Sequence, residues 1–480
     1  MNDRKGFGSN FGFLMAAVGS AVGLGNIWGF PNKMGANGGF PFLILYLALA
    51  LCCGVIIMLG ELALGRKTGH GAVGAYQSIS KRFKWLGWLG IAAAALIFSF
   101  YSALGGYCLR YVVVNFGNLI GAEFGTNGVG GADVFQGLLS QPDVSIAFAL
   151  AFMLITMLVV MSGVGGGIER VCSVGMPALF FILIICIIRS CTLPGAADGL
   201  KDMFVPGWAV ANGIIDEAPG FWKVLTAAGG QMFFSLSLGA GVMITYGSYL
   251  DKKQDLGKSA MIIVGMDTVV ALMAGLCVIP GRFALDPNGA LGGPELLFIT
   301  MQNVFDKMGP AGPVFGILFY LLVFFAAISS SISMLEVIVA HFCDKAREKG
   351  KGDRRKLYSA IAVVICAALC ALVCADGMGS NHISPAELLG LAGAKLPGWS
   401  TSWLGLFDSV AEGLLMPLGA LLMCLMISWE LKPDTLRQEI LLNGENRPWV
   451  YDFFRLCVKY ITPLCMLMIL YGQISDFFIV

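Results

Sequence analysis

The sequence predicts an all-α membrane protein, and three observations lead to this. Of the 480 residues, 57% are hydrophobic and only 13% are charged, and the mean hydropathy is +0.79. Most of the surface is therefore expected to face lipid. The apolar runs are about 20 residues long, which is the length of a membrane-spanning helix and about twice that of a barrel strand. Because lipid offers the backbone no hydrogen-bond partner, helices are the expected structure.

Eleven apolar runs predict eleven membrane spans. In order, the spans are expected at about 11–35, 41–64, 86–115, 145–162, 168–190, 222–250, 257–280, 311–343, 357–375, 404–430 and 449–475. The short polar segment before the first span has no small-residue cleavage site, so this span is expected to remain in the mature protein.

The loops between the spans differ in charge on the two sides of the membrane. Lys and Arg collect at residues 4–5, 66–67, 81–84, 252–253 and 344–356. By the positive-inside rule these loops and the N-terminus are cytoplasmic, and an odd number of spans places the C-terminus outside a plasma (inner) membrane. In an outer loop, Pro294 to Asp306 has the pattern of an amphipathic helix, either a lid or a plain surface helix.

Composition also excludes several classes of function. The net charge is +1 with no basic stripe, so nucleic acid is not an expected partner. Three histidines far apart and no paired cysteine spacing give no metal-cluster signature, and no organic cofactor is predicted. Most cysteines lie inside apolar runs, where they behave as small hydrophobic residues. No arrangement of nucleophile and base is apparent, so an enzyme is not predicted.

Two spans contain glycine-rich interruptions. The first reads Gly-Ser-Ala-Val-Gly-Leu-Gly-Asn-Ile-Trp-Gly-Phe-Pro from Gly19 to Pro31, and the sixth is interrupted from Ser235 to Gly241. Each glycine within a helix destabilises it by about 1 kcal/mol relative to alanine, so the presence of glycine at these positions needs an explanation. Glycines that merely permit close helix packing are one explanation. Matching interruptions in two five-helix groups favour an inverted-repeat transporter whose binding site lies at the breaks.

This pattern predicts one transporter domain over residues 1–480. Repeat one covers about 11–190, repeat two covers about 222–430, and an extra helix covers about 449–475. Broken helices expose N–H groups that bind an anion and carbonyls that bind a cation, which suits a zwitterionic amino acid accompanied by sodium. Oxygen-bearing side chains that suit a hard cation stand near the breaks. They are Asn26, Ser235, Ser237, Asp267 and Ser329 to Ser331.

Six motifs resemble the neurotransmitter:sodium symporter family, in its bacterial amino-acid transporter branch. They are Gly19 to Pro31, Asn37-Gly-Gly, Glu61-Leu-Ala-Leu-Gly-Arg66, Gly167-Ile-Glu-Arg170, Phe233-Phe-Ser-Leu-Ser-Leu-Gly239 and Ile328-Ser-Ser-Ser-Ile332. The resemblance covers almost the whole chain, and eleven spans resemble bacterial members that lack a twelfth helix.

The resemblance implies two sodium sites and a substrate site. The first sodium site would use Ala21, Asn26, Ser235 and Asp267. The second would use the carbonyls of Gly19, Val22 and Ala326 with the hydroxyls of Ser329 and Ser330. The substrate carboxylate would meet Leu24, Gly25 and Tyr101, and its ammonium would meet Ala21, Phe234 and Ser237, with Ser235 also among the substrate-binding residues. The side-chain pocket would be formed by Ile97, Tyr101, Phe234, Ala240, Ser330 and Met334.

Two of these positions bear on the substrate. Relatives that carry monoamines look different at Gly23, where an aspartate stands in for the carboxylate that the substrate lacks, so glycine implies a ligand with its own carboxylate. A relative has phenylalanine at Ala240, and the smaller residue predicts room for a bulky or aromatic side chain, although facing residues could fill the space.

Asp267 is an acid within an otherwise apolar seventh span. An acid in the middle of a membrane-spanning helix costs about 2.5–3.5 kcal/mol on insertion scales, so Asp267 is a candidate functional residue. A protonated structural acid is the alternative. If Asp267 binds sodium, its charge would replace the chloride that animal relatives need. Chloride-independent transport is therefore predicted.

The resemblance also implies gates at the two ends of the site. The inner gate would consist of Arg4, Phe7, Ser248, Tyr249 and Asp344, which could instead be ordinary loop residues. An outer gate of arginine and acid is expected in the family, but Gly29 and Ala411 occupy the two positions, with Glu412 adjacent. Tyr101 and Phe234 closing over the substrate are the suggested replacement.

The predicted function is sodium-coupled symport of a neutral, hydrophobic or aromatic amino acid by alternating access. The alternatives are a sodium-dependent amino-acid sensor on the same fold and a symporter of a different small zwitterion. The expected partners are the substrate and the lipid bilayer, and the oligomeric state is left open.

Overall fold

All regular secondary structure is helical in the computed structural model, which describes residues 6–126, 128–288, 293–390, 398–431, 435–441 and 448–478. The long segments are α1 (Asn10–Ala21), α2 (Gly25–Ala36), α3 (Phe40–Thr68), α4 (Leu86–Ile120), α5 (Pro142–Met161), α6 (Val164–Cys191), α7 (Phe221–Ser235), α8 (Val242–Gly247), α9 (Leu256–Leu285), α10 (Gly312–Glu348), α11 (Arg355–Asp376), α12 (Trp403–Glu430) and α13 (Pro448–Ser475). Shorter helices include Ala72–Ile79, Gly131–Leu139, Ala196–Phe204, Trp208–Ala211, Met301–Lys307, Pro385–Leu388 and Arg437–Ile440.

The helix positions agree with the predicted spans to within a few residues at most ends. Within the described ranges, nine helices are long and apolar enough to cross a membrane, and the bent pair of α1 and α2 makes a tenth. The sixth predicted span corresponds to α7 and α8, each of which is too short to span alone. The all-helical membrane fold is thus confirmed, whereas the total of eleven spans and the inverted repeats stay predictions.

The first break lies between α1 and α2, which meet at an angle of 50°. Helix α1 ends at Ala21 because Val22 adopts an extended conformation (φ −71°, ψ 108°), and helical dihedral angles return at Leu24 (φ −57°, ψ −32°). The Val22 N–H still donates to the Val18 carbonyl, whereas the N–H groups of Gly23 and Leu24 donate to side chains instead of to helical carbonyls.

The second break lies between α7 and α8. Here Ser237 has a φ of 52° and Gly239 a φ of 80°, both in the left-handed region. Such a conformation costs a residue other than glycine roughly 1–2 kcal/mol, and the Ser237 hydroxyl compensates by donating to the Ser20 carbonyl at 3.1 Å. A Cβ on Gly239 would lie 2.1 Å from the Met416 carbonyl oxygen, so this turn also requires glycine for space.

The two breaks lie at the centre of the helix packing. Helix α10 packs against α4, α6 and α11, and α1 packs against α6, α9 and α10. Gly19 at the end of α1 approaches α10 so closely that an added Cβ would lie 3.1 Å from the Ser329 Cβ. Residues of α4 and α10 therefore face both breaks.

The outer face of the helix bundle is the one that holds helices Ala196–Phe204 and Met301–Lys307, because loop charges predict it to be external. The opposite face, near Gly6, is the inner face. The segment predicted as an amphipathic helix, Pro294 to Asp306, is helical and packs on the outer face, where the Phe298 ring stacks on Phe135 with centroids 5.4 Å apart.

Candidate functional site

A small cavity lies between the two breaks. Its lining residues are Ser20, Ala21, Gly23, Gly25, Ile97, Tyr101, Phe234, Ser237, Ser330 and Met334. Every one of them except Ser20 was predicted to contact substrate. The cavity has a volume of only about 20 Å³, which is space for one or two water molecules.

The backbone at the first break presents N–H groups to the cavity wall. The Leu24 N–H donates to the Tyr101 hydroxyl at 2.7 Å, and the Gly23 N–H donates to Asn26 Oδ1 at 2.9 Å. A Cβ on Gly23 would lie 2.4 Å from the Tyr101 hydroxyl oxygen and 2.6 Å from Ser330 Oγ. Only glycine at residue 23 lets α4 and α10 approach the break this closely.

A buried polar cluster adjoins the cavity through Asn26. The Asp267 carboxylate accepts hydrogen bonds from Asn26 Nδ2 at 2.7 Å and from Ser235 Oγ at 2.9 and 3.0 Å. The Tyr46 hydroxyl adds a further bond at 3.3 Å. Asn26 and Asp267 are fully buried, and in the part of the chain that the structure describes no Lys, Arg or His pairs with Asp267. An ionised carboxylate in such a place needs a cation, because a buried charge without a partner costs several kcal/mol.

A second cluster of oxygens lies where α1 meets α10. The Ser330 hydroxyl is 3.3 Å from the Gly19 carbonyl, 3.2 Å from the Ser20 carbonyl and 3.2 Å from the Val22 carbonyl. A serine hydroxyl has one proton to donate, and the Ser20 carbonyl also accepts from the Ser237 hydroxyl, so three carbonyl oxygens share two hydroxyl protons. This excess of acceptor oxygens is what a hard monovalent cation would satisfy. The Ser329 hydroxyl extends the cluster toward the Ala326 carbonyl, at 3.0 Å.

Comparison with known proteins identifies the type of molecule to which this geometry belongs. A family model described as the sodium:neurotransmitter symporter family matches residues 4–127 and 132–478. The chain belongs to this family. Because the family is one of sodium-dependent transporters, the prediction that the chain is not an enzyme is confirmed.

The symporter resembles relatives over nearly its whole length. It is 36% identical over 477 residues to a sodium-dependent transporter of Bacillus subtilis, YhdH, and the match covers 97% of both chains. It is 30% identical over 459 residues to a sodium-dependent transporter of Methanocaldococcus jannaschii, covering 91% of this chain and 84% of the relative. The crystal structure of MhsT in complex with L-phenylalanine has a TM-score of 0.83 and 34% identity, covering 98% of this chain and 100% of MhsT.

The residues predicted for the two sodium sites lie in two groups in the symporter. Asn26, Ser235 and Asp267 form the first cluster, and Ala21 lines the adjoining cavity. Gly19, Val22, Ala326, Ser329 and Ser330 form the second. Whether each group holds one sodium ion stays a prediction.

Three of the predicted substrate residues, Leu24, Ser235 and Ala240, are not among those that line the cavity. Ala240 is fully buried in the second break, and its carbonyl faces Gly90 of α4. The Leu24 N–H, the part predicted to meet the substrate, donates to the Tyr101 hydroxyl, and Ser235 bonds Asp267 in the adjoining cluster. Room for a larger substrate side chain beside Ala240 stays a prediction.

Aromatic contacts hold the inner side of the symporter together. The Phe7 ring lies 5.6 Å from that of Tyr246 and 6.2 Å from that of Tyr249, both in edge-to-face arrangements. The Tyr249 hydroxyl donates to Glu336 at 2.5 Å. Of the predicted inner-gate residues, Phe7 and Tyr249 are thus in contact.

The other predicted inner-gate residues make local contacts. Asp344 accepts a hydrogen bond from the Gly71 N–H at 3.0 Å, and the Ser248 hydroxyl donates to the Thr245 carbonyl at 2.5 Å. Arg4 lies outside the described residues, so its pairing with Asp344 stays a prediction.

Sequence reasoning missed two residues near the site. Ser20 offers its carbonyl to both Ser237 and Ser330, and Tyr46 bonds Asp267 from α3. Ser20 lies within the first interrupted motif and could have been found from its spacing, but a lone tyrosine in an apolar helix carries no such signal. Gln231, a polar residue within the sixth span, donates to the Gly25 carbonyl at 2.7 Å and so joins the two broken spans.

Replacing Tyr101 by phenylalanine is expected to weaken substrate binding about tenfold. The change removes the hydroxyl that is predicted to donate to the substrate carboxylate, and a hydrogen bond to a charged group contributes about 1.5–3 kcal/mol. Tyr111→Phe is a matched control on the same helix, because the Tyr111 hydroxyl has no hydrogen-bond partner among the described residues. Equilibrium binding of labelled amino acid in sodium checks this, and equal affinities for the two variants would contradict it.

Proposed function

We propose that the symporter uses a sodium gradient to take up a neutral amino acid with a hydrophobic or aromatic side chain, by alternating access and without chloride. The observation that carries this proposal is the position of Asp267. It is buried without a cationic partner in the described chain, and Asn26 joins it to a cavity whose backbone N–H groups suit a carboxylate. A cation at Asp267 and a carboxylate in the cavity would therefore stabilise one another.

The cavity wall supports a neutral amino acid as substrate. Its side chains are apolar or hydroxyl-bearing, with Ile97, Phe234 and Met334 as the large apolar members, and no charged side chain lines it among the described residues. Gly23 provides no carboxylate of its own, so the ligand must bring one. MhsT, the solved relative, was crystallised with L-phenylalanine, which agrees with a hydrophobic or aromatic substrate.

A small zwitterion is the second candidate, and the size of the cavity favours it. Space for one or two water molecules does not hold a phenyl ring, so a large substrate requires neighbouring side chains to move. Met334 has a flexible side chain that can do so. Ala240 is not among the residues that line the cavity as it stands.

Uptake into proteoliposomes tests the function. Purified symporter would be given labelled tryptophan, phenylalanine, leucine or glycine under an inward sodium gradient, with choline replacing sodium and gluconate replacing chloride in the controls. We expect sodium-dependent, chloride-independent uptake with phenylalanine or tryptophan as the better competitor. Glycine as the best competitor would support the second candidate, binding without uptake would indicate a sensor, and a strict chloride requirement would contradict the proposed role of Asp267.

The loop charges support a plasma-membrane location with the N-terminus in the cytoplasm and the C-terminus outside.

A further inference from the structure

A cluster of positive charge lies at the inner face, directly before α4 begins. Lys81, Arg82 and Lys84 are all exposed. In the part of the chain that the structure describes, none of the three forms an ion pair. Glu430 at the end of α12 reaches the same segment, where it accepts a hydrogen bond from the Ser80 hydroxyl. Three cations therefore stand beside one acid, and the segment carries excess positive charge.

Two exposed tryptophans stand at the start of α4. Trp85 and Trp88 are 49% and 43% exposed. Their spacing of three residues places them on the same side of the helix. The Trp88 ring lies edge-to-face on the His341 ring with centroids 4.9 Å apart, which fixes its orientation. Lys84 is also close enough to His341 to interact with it electrostatically, so the cations and the tryptophans are neighbours in space as well as in sequence.

The order of these residues along the chain matches the layers of a membrane surface. A tryptophan has an apolar ring and one polar N–H, and it is enriched where lipid headgroups meet the acyl chains. The cations precede α4 and therefore lie nearer the aqueous phase, at the level of the lipid phosphates. A soluble acidic partner would reach the cations but not Trp88, which lies within a membrane-spanning helix. The patch as a whole therefore fits a lipid.

We propose that Lys81, Arg82 and Lys84, together with Trp85 and Trp88, bind the headgroup of an anionic phospholipid such as phosphatidylglycerol. The cations would bind the lipid phosphate, and the indole rings would pack against the glycerol backbone and the upper acyl chain. Clustered Lys and Arg beside a membrane span attract anionic lipids. Phosphatidylcholine is a poorer ligand, because its own choline cation neutralises the phosphate. The site does not depend on which amino acid is transported.

A lipid bound here would contact a segment that reaches the centre of the symporter. The short helix Ala72–Ile79 precedes the cations, and the Gly71 N–H before it donates to the Asp344 carboxylate at 3.0 Å. A Cβ on Gly241, in the second break, would lie 2.7 Å from Ala72 Cβ. Lipid binding would therefore favour the arrangement in which this helix is held against the second break and Asp344.

Quenching of tryptophan fluorescence by brominated lipid tests the site without any substrate. The symporter would be reconstituted in mixed vesicles of phosphatidylglycerol and phosphatidylcholine, in which one lipid or the other carries brominated acyl chains. A double variant, Trp85→Phe with Trp88→Phe, gives the signal of the other tryptophans, which is subtracted. We expect brominated phosphatidylglycerol to quench Trp85 and Trp88 about three- to tenfold more effectively than brominated phosphatidylcholine at equal mole fraction, because each cation near the surface strengthens the attraction.

Neutral variants identify the cause of this preference. The triple variant Lys81→Gln, Arg82→Gln and Lys84→Gln should bring the ratio of the two quenching efficiencies to about one. The conservative Arg82→Lys should keep the preference, because it keeps the charge. Equal quenching by the two lipids in the unmodified protein, or an unchanged ratio in the triple variant, would overturn the site.

A second cluster on the same side of the membrane provides the matched control. Lys252, Lys253 and Lys258 are also exposed, and they lie in a stretch without tryptophan. Replacing these three with glutamine should leave the quenching ratio as it is. If this variant lost the preference to the same extent as the first, the attraction would belong to the net charge of the protein and not to a site at residues 81–88.

Thermal unfolding in detergent is the second measurement. A ligand that binds only the folded protein raises the unfolding temperature. Added phosphatidylglycerol should therefore stabilise the unmodified symporter and the control variant more than the same amount of phosphatidylcholine, and it should lose this advantage when residues 81, 82 and 84 are neutralised. An equal gain from phosphatidylglycerol in all three proteins would contradict the site.

Discussion

Asp267→Asn is expected to lower sodium-driven uptake at least about 100-fold, the largest effect of any single substitution in the site. Removing one partner of a buried charge pair costs about 3–5 kcal/mol, and each 1.4 kcal/mol is a factor of about ten in binding. The asparagine keeps the size of the side chain and its acceptor oxygen toward Ser235. The loss would therefore measure the charge rather than the packing.

The response to chloride distinguishes sodium binding by Asp267 from a purely structural role of this residue. If the carboxylate supplies the negative charge that a bound cation needs, an added anion should partly replace it. Uptake by Asp267→Asn should therefore rise when chloride replaces gluconate, whereas uptake by the unmodified symporter should not change. The control is Asp198→Asn on the exposed outer helix, which should transport normally. Full activity of Asp267→Asn in chloride-free buffer would contradict the assignment of Asp267 to sodium.

The helices of this symporter could be predicted well from the sequence because lipid limits which secondary structures are possible. In lipid the backbone N–H and C=O groups must bond to one another, so the length of each apolar run nearly determines the span. The interruption at residues 19–31 also predicted its break, which the structure places at residues 22–24. The interruption predicted in the sixth span, Ser235 to Gly241, likewise contains the break between α7 and α8, although the left-handed conformation of Ser237 has no sequence signature.

Contacts between distant helices were predicted less well. Nearly all the cavity residues were predicted from the family resemblance, which indicates the sequence positions of the site residues but not how their helices pack. Ala240 shows this limit, because it matches a pocket position in the family but is not among the residues that line the cavity, and its carbonyl faces α4. The ion pair between Lys33 and Glu412 is a second example. The lack of the expected arginine and acid at Gly29 and Ala411 was visible in the sequence, but this ion pair one helical turn beyond Gly29 was not.

Gly23→Ala is expected to weaken amino-acid binding by about 10- to 100-fold, because overpacking a filled site costs about 1–3 kcal/mol. The added methyl group would lie 2.4 Å from the Tyr101 hydroxyl oxygen and 2.6 Å from Ser330 Oγ, distances that real atoms do not adopt. Tyr101 would have to move away from the Leu24 N–H, and the methyl group would fill the space proposed for the substrate carboxylate. Binding of labelled phenylalanine in sodium, followed by uptake, measures the effect.

Gly265→Ala is the matched control for this substitution. Gly265 also lies in a membrane-spanning helix, α9, but an added Cβ there has no other atom within 4 Å. Each change adds one methyl group to a buried or membrane-spanning segment, so a difference between them reports on what surrounds that methyl group. Thermal stability should be retained by Gly265→Ala together with normal binding. If Gly23→Ala bound phenylalanine as tightly as Gly265→Ala, the carboxylate of the substrate could not lie beside residue 23, and the cavity between the two breaks would not be where the amino acid binds.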